Sequence, residues 1–211
     1  MTKVLEIVAS PRGADSFSAQ ITATYVAELA ASGAEVVTWN LFEMNLPEFG
    51  TVAADAKMAV FSGAEQTAEQ QKLWGECKEL FETFAEFDVY AIALPLWNAG
   101  VPYKFKQFVD IVTQPGWSFG FDPEAGYSGL LADKRAFVSL TSGVFHPGVS
   151  AAFGSDFAQP FVDDWLRFIG IQDITYERFS PTVMTADAQA DLVGHIEGAR
   201  GAATSVTGVL A

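Results

Sequence analysis

The segment Ser10-Pro-Arg-Gly-Ala-Asp-Ser-Phe-Ser follows the first apolar run and leads into a helical pattern. It brings serine hydroxyls, an arginine and a row of backbone amides to one place. A helix N-terminus flanked by such donors is suited to a monophosphate, because the dipole and the unpaired N–H groups both favour an anion. Arg12 adds positive charge. The same residues also read as ordinary capping, with Ser16 or Ser18 as the N-cap. The segment has neither G-x-G-x-x-G nor G-x-x-x-x-G-K-[ST], so a dinucleotide fingerprint and a P-loop are both absent.

Two further segments carry chemistry. In Leu94-Pro-Leu-Trp-Asn-Ala-Gly-Val-Pro a strand ends on an aromatic and an amide. Trp97 is placed to stack beside a planar ring and the amides around Asn98 to bond its polar edge. A tight turn with a half-buried tryptophan is the alternative. In Thr141-Ser-Gly-Val-Phe-His-Pro-Gly, Gly143 and Gly148 permit close backbone approach. His146 is a candidate for the substrate pocket, since histidine serves as both acid and base in catalysis. The chain has only two histidines, no cluster with metal-ligand spacing and no G-x-S-x-G elbow, which argues against metal and triad chemistry. His195 reads as solvated, Cys77 and the Phe81, Phe84, Phe87 face as core, and Asp163-Asp164 as a solvated helix face.

Strand-like and helix-like runs alternate to position these segments. Strands are expected over residues 3–9, 35–39, 88–94, 135–140 and 173–179. Helices are expected over 18–31, 67–87, 102–112, 157–169 and 187–205. The Ala/Gly-rich stretch up to Gly63 reads as a long loop with one short helix, and residues 113–133 as an irregular, aromatic-rich segment of functional or interface type. Such alternation favours parallel pairing and right-handed crossovers in one domain over residues 1–211. The fold expected is α/β and flavodoxin-like: a doubly wound five-stranded parallel sheet of order 2-1-3-4-5 with helices on both faces. The loops after strands one, three and four then converge at its carboxyl edge.

The bulk composition bounds the class. Half the residues are hydrophobic, enough for a substantial core. Acidic residues outnumber basic ones 26 to 12, a net charge of −14 that repels nucleic acid. No apolar run approaches the roughly 20 residues of a membrane helix, the start reads as a strand and not a secretory signal, and the single cysteine fits a cytoplasmic setting.

Together these segments resemble the FMN-dependent NADH:azoreductase and NAD(P)H:quinone reductase family over nearly the whole chain. The matching stretches are Lys3-Val-Leu with Ser10, Ser16 and Ser18, then Pro95-Leu-Trp-Asn-Ala-Gly-Val-Pro with Lys104, Phe105, Lys106 and Asp110. Ser118-Phe-Gly-Phe, Gly129-Leu-Leu and Phe168-Ile-Gly-Ile follow. The resemblance implies that Ser10, Ser16, Phe17 and Ser18 hold the FMN phosphate. Leu96, Trp97, Asn98 and Ala99 would flank the isoalloxazine, and the loop with Ser142 and Gly143 would contact its pyrimidine edge. It also implies a homodimer with FMN at the interface, where Phe119 and Phe121 would wall the substrate pocket. NADH or NADPH would reduce the flavin and a quinone or azo compound would collect two electrons in the same place. The rival is a flavodoxin-type one-electron carrier, which usually has a Thr/Ser-x-Thr-Gly-x-Thr loop that this chain lacks. A flavin-free receiver-type module needs adjacent acids after the first strand, and Ala9-Ser10-Pro11 offers none. Three departures stand out. Trp97 replaces a common tyrosine, Gly120-Phe121 replaces an Arg-Tyr pair, and Ser142-Gly-Val is one residue shorter than the family's Ser-Arg-Gly-Gly.

Overall fold

A computed structural model of the chain describes residues 1–210; Ala211, the last residue of the expected domain, lies outside them. In chain order the elements are β1 (Lys3–Val8), α1 (Phe17–Ala31), β2 (Glu35–Asn40), α2 (Thr51–Ser62), α3 (Ala68–Ala85), β3 (Val89–Pro95) and α4 (Tyr103–Val112). They continue with β4 (Phe119–Asp122), β5 (Gly126–Gly129), β6 (Arg135–Thr141), α5 (Ala158–Phe168), β7 (Asp173–Phe179) and α6 (Ala188–Leu210). The main sheet has the order β2-β1-β3-β6-β7, all parallel. Counting only its own strands, this is 2-1-3-4-5, as expected from the sequence.

The central strands lack a polar alternation because both their faces are covered. On β3, Tyr90, Ile92 and Leu94 join Leu5, Ile7, Val138 and Leu140 in a core closed by Phe81 and Phe84 of α3, Phe105 and Phe108 of α4, and Trp165 of α5. The alternate residues Val89 and Ala91 pack with Val4 and Phe137 against Ile21, Tyr25 and Leu29 of α1 and Leu192 and Ala199 of α6. Cys77 is fully buried in the first of these cores, and burial pushes its thiol up to about 11, so it stays protonated at neutral pH. His195 is not simply solvated: it stacks on Phe179 and lies 2.6 Å from Glu177.

Local chemistry explains the boundaries. Thr67 and Gln70 form a reciprocal capping box that starts α3. α2 runs from Thr51 to Ser62, closed by Gly63 at φ 67°, where the sequence suggested mostly loop. Only Ala53 and Ala56 are buried on it, so no large apolar stripe announces the helix.

Residues 113–133, expected to be irregular, contain an antiparallel hairpin of β4 and β5. The Asp122 carboxylate accepts from the amides of Glu124 and Ala125 at 2.8 Å each and so shapes the turn. The hairpin is anchored where Leu131 N–H donates to the Ile169 carbonyl, ahead of β7, which is the amino-terminal end of the sheet. Phe119 is buried against Phe168, while Phe121 and Tyr127 stay largely exposed.

Gly129 makes this anchor possible: a Cβ there would lie 2.2 Å from the Gly170 amide nitrogen. Backbone on both sides leaves no rotamer to relieve the clash. Gly129→Ala is expected to destabilise the chain by about 3 kcal/mol. Gly75→Ala, in open space on α3, should instead stabilise by roughly 0.5 kcal/mol. Urea midpoints measure both, and a Gly129→Ala midpoint equal to wild type would contradict the packing.

Candidate functional site

β1 ends at Val8 and a single 3-10 turn, Gly13–Asp15, carries the chain into α1. Ser16 occupies the N-cap position with extended backbone, yet its side chain makes no capping bond. Its hydroxyl lies 3.0 Å from that of Ser18 instead. Ser10, Ser16 and Ser18 are all buried. The first intrahelical bond is Gln20 N–H to the Ser16 carbonyl, and the amides of Phe17, Ser18 and Ala19 have no acceptor among the described residues. Hydroxyls and amides are therefore both available at a positive dipole end, the donor set a phosphate requires. Arg12 is exposed on the rim and forms no ion pair among the described residues.

The second loop is a two-residue turn. Trp97 and Gly100 exchange backbone bonds of 2.9 and 2.8 Å, and the residues between them, Asn98 and Ala99, have φ of 48° and 68°. Such a turn matches strand twist but costs a non-glycine residue about 1–2 kcal/mol, least for asparagine. Ala99 is held there by the Phe157 amide, which donates to its carbonyl at 2.7 Å. The Phe157 backbone is fixed in turn by its neighbour. The Asp156 carboxylate caps the amides of Ala158 and Gln159 and pairs with Arg178 of β7. Their side chains are 9% and 15% exposed, so this brace works in a largely dry environment. Beside the turn, Trp97 and Tyr103 both pack on Phe42, at 5.9 and 5.7 Å.

The third loop, after β6, is drawn toward the end of β7. Thr182 N–H donates to the Ser142 carbonyl at 2.9 Å and Val183 N–H to the Gly143 carbonyl at 2.8 Å. The Ser142 hydroxyl donates to the Phe145 carbonyl. The amides of Gly143 and Val144 have no acceptor among the described residues.

These loops enclose one cleft of about 260 Å³ at the carboxyl edge of the sheet. Of the residues singled out from the sequence, Ser10, Ser16, Phe17, Leu96, Trp97, Ser142 and Gly143 line it together. Ser18 lies behind Ser16, fully buried, and Ala99 forms the turn. Asn98 faces an adjoining trough of about 770 Å³ that shares Trp97 and includes Phe49, Tyr103 and Lys106. His146 does not line the cleft; its Nδ1 lies 3.0 Å from the Pro147 carbonyl oxygen. Phe119 and Phe121 sit on the hairpin, whose anchor is at the far end of the sheet. The cleft also includes Thr182 and Val183, which the sequence reading passed over. Their signal was topological: a fifth strand beside the fourth brings its own following loop to the same edge. Another cavity, of about 410 Å³, lies between α3 and residues 48–52; Glu48, Glu69 and Glu76 line it with Lys72, which pairs with Glu76, a poor setting for an anion. Among the described residues no group of His, Cys, Asp and Glu could hold a metal ion, and no helix is long and apolar enough to cross a membrane.

Comparisons with known proteins converge on one group. Residues 2–201 match the family described as having the flavodoxin-like fold. The FMN-dependent NADH:quinone oxidoreductase of Ruegeria pomeroyi is 42% identical over 192 residues, covering 90% of this chain and 94% of its own. That of Nitratidesulfovibrio vulgaris is 37% identical over 204 residues, covering 95% and 97%. The structure of an FMN-dependent NADH-azoreductase from Bacillus anthracis in complex with FMN superposes with a TM-score of 0.87. At 23% identity, and covering 98% of this chain and 100% of that one, it supports the fold.

Proposed function

Since the chain belongs to the flavodoxin-like family of FMN-dependent NADH:quinone oxidoreductases, we propose that it binds FMN in this cleft and reduces quinones and azo compounds with NADH. The observation that carries the reading is the buried serine cluster at the start of α1, whose hydroxyls do not cap the helix and whose amides lack acceptors. FMN, when bound, supplies two-electron hydride transfer between a nicotinamide and an acceptor. The chain's own residues have four tasks. Ser10, Ser16 and the first amides of α1 bind the phosphate, with Ser18 orienting the Ser16 hydroxyl. Leu96 and Trp97 flank the ring. The amides of Gly143 and Val144 are preorganised donors for negative charge at the ring's polar edge. Phe42, Trp97 and Tyr103 offer an aromatic wall to a flat acceptor, with Asn98 at the mouth of the trough.

A second copy of the chain completes the pocket in this reading. Phe121 and Tyr127 are exposed apolar residues on a hairpin fixed away from its own cleft, as suits a part contributed to another protomer. Phe119 then acts from beneath, by packing on Tyr127 and Phe168. His146 has no part in the cleft in this reading. The one buried, protonated cysteine is at home in a reducing cytoplasm.

The activity is tested on the purified chain loaded with FMN under anaerobic conditions. NADH is expected to bleach the absorbance near roughly 450 nm, and a benzoquinone to restore it, with parallel double-reciprocal lines in steady state. Absent or very slow bleaching by NADH would favour the one-electron carrier, for which the net charge of −14 is the supporting observation. The assembly is tested by sedimentation velocity. Wild type is expected at twice the chain mass, and Phe121→Ala combined with Tyr127→Ala should shift it toward monomer. A fully active wild-type monomer would contradict the shared pocket.

A further inference from the structure

The polar edge of a flavin ring is uracil-like, with two carbonyl oxygens that accept and one imide N–H that donates. A complete site needs donors and an acceptor there, since an unpaired polar group removed from water is penalised. The loop after β6 can furnish the donors, through the amides of Gly143 and Val144. It is poorly placed to furnish the acceptor. The carbonyls of Ser142 and Gly143 are engaged by Thr182 and Val183, and the Ser142 hydroxyl is directed to Phe145.

The group that engages those carbonyls also enters the cleft. Thr182 and Val183 follow the end of β7, donate their amides to those carbonyls and line the same cavity as Ser16, Trp97 and Gly143. Gly143 gives Val183 room there: Val183 Cγ2 lies 3.2 Å from where a Cβ at that position would stand. Thr182 is half-buried, and its hydroxyl has no partner among the described residues. A hydroxyl both donates and accepts, so it can answer either an imide N–H or a carbonyl.

We infer that Thr182 is a cofactor-contacting residue whose hydroxyl completes the polar edge of the flavin ring, since the Ser142 and Gly143 carbonyls and the Ser142 hydroxyl of the loop after β6 are engaged elsewhere. Val183, an exposed apolar residue, lines the cleft next to it. The inference rests on the flavin reading above, and it assigns to the segment after β7 a role in binding the ring and none in binding the phosphate.

The test compares Thr182→Val, which keeps the shape and removes the hydroxyl, with Thr182→Ser, which keeps the hydroxyl. Fluorescence titration of the apoprotein with FMN and with riboflavin reads the two ends of the cofactor separately. Thr182→Val is expected to weaken both flavins by the same factor, about five- to tenfold, as for the loss of one net hydrogen bond. Thr182→Ser should stay within about twofold of wild type, and the urea midpoint of Thr182→Val should not move, because the hydroxyl has no bond to any of the described residues. Unchanged affinities in Thr182→Val, or a loss confined to FMN, would overturn the assignment. A wild-type chain that binds neither flavin would overturn the flavin reading itself, and this inference with it.

Discussion

Parallel strands cannot be joined by a tight turn; each must be returned to the same end of the sheet by a crossover, here through a helix. In this chain β1, β3 and β6 lie side by side at the centre with both faces covered, and their register fixes where their carboxyl ends stop. Leu96 N–H reaches the Thr141 carbonyl at 2.7 Å, and Ala9 N–H the Ala93 carbonyl at 3.0 Å, so the loops after neighbouring strands are tied together at their roots. Every group assigned to the cleft is positioned by that edge. The apolar packing of Ile92, Leu94, Val138 and Leu140 against α4 and α5 therefore determines the site as well as the core.

Rigidity at the edge is supplied locally and at some cost. Asn98 and Ala99 hold left-handed backbone that glycine would adopt more readily. The Phe157 amide and the Asp156–Arg178 pair behind it stabilise that turn from the other side of β6. A buried pair of this kind is weak evidence for stability in itself, because desolvation offsets much of its attraction. Its consequence here is geometric: β7, the start of α5 and the Trp97 turn are held in one arrangement.

The sequence made the scaffold legible wherever one rule dominated. The apolar runs of β1, β3 and β6 and the apolar face of α3 with Phe81 and Phe84 each gave a local sign. α2 escaped because its buried contacts are alanines, and the hairpin because its strands are short and interrupted by Gly120, Gly126 and Gly129. The serine cluster was visible as composition, but whether Ser16 capped the helix depended on a side-chain direction that no spacing encodes. Thr182 and the Asp156–Arg178 brace were invisible for another reason. Their partners are remote in sequence, so only the folded register brings Thr182 to Ser142 or Arg178 to Asp156. The hairpin aromatics illustrate the converse: their types suggested a pocket wall, and the fold places their anchor at the opposite end of the sheet from the cleft.

The central claim is that the entrance to α1 is a phosphate site within a chain of net charge −14, where an anion is held by fixed donors and not by overall attraction. The most direct measurement is the ratio of dissociation constants of the wild-type apoprotein for riboflavin and for FMN, at one pH and ionic strength. The two ligands differ only by the phosphate. Two or more charge-assisted bonds predict that FMN binds at least about 100-fold more tightly. Equal affinity for the two flavins would contradict the account.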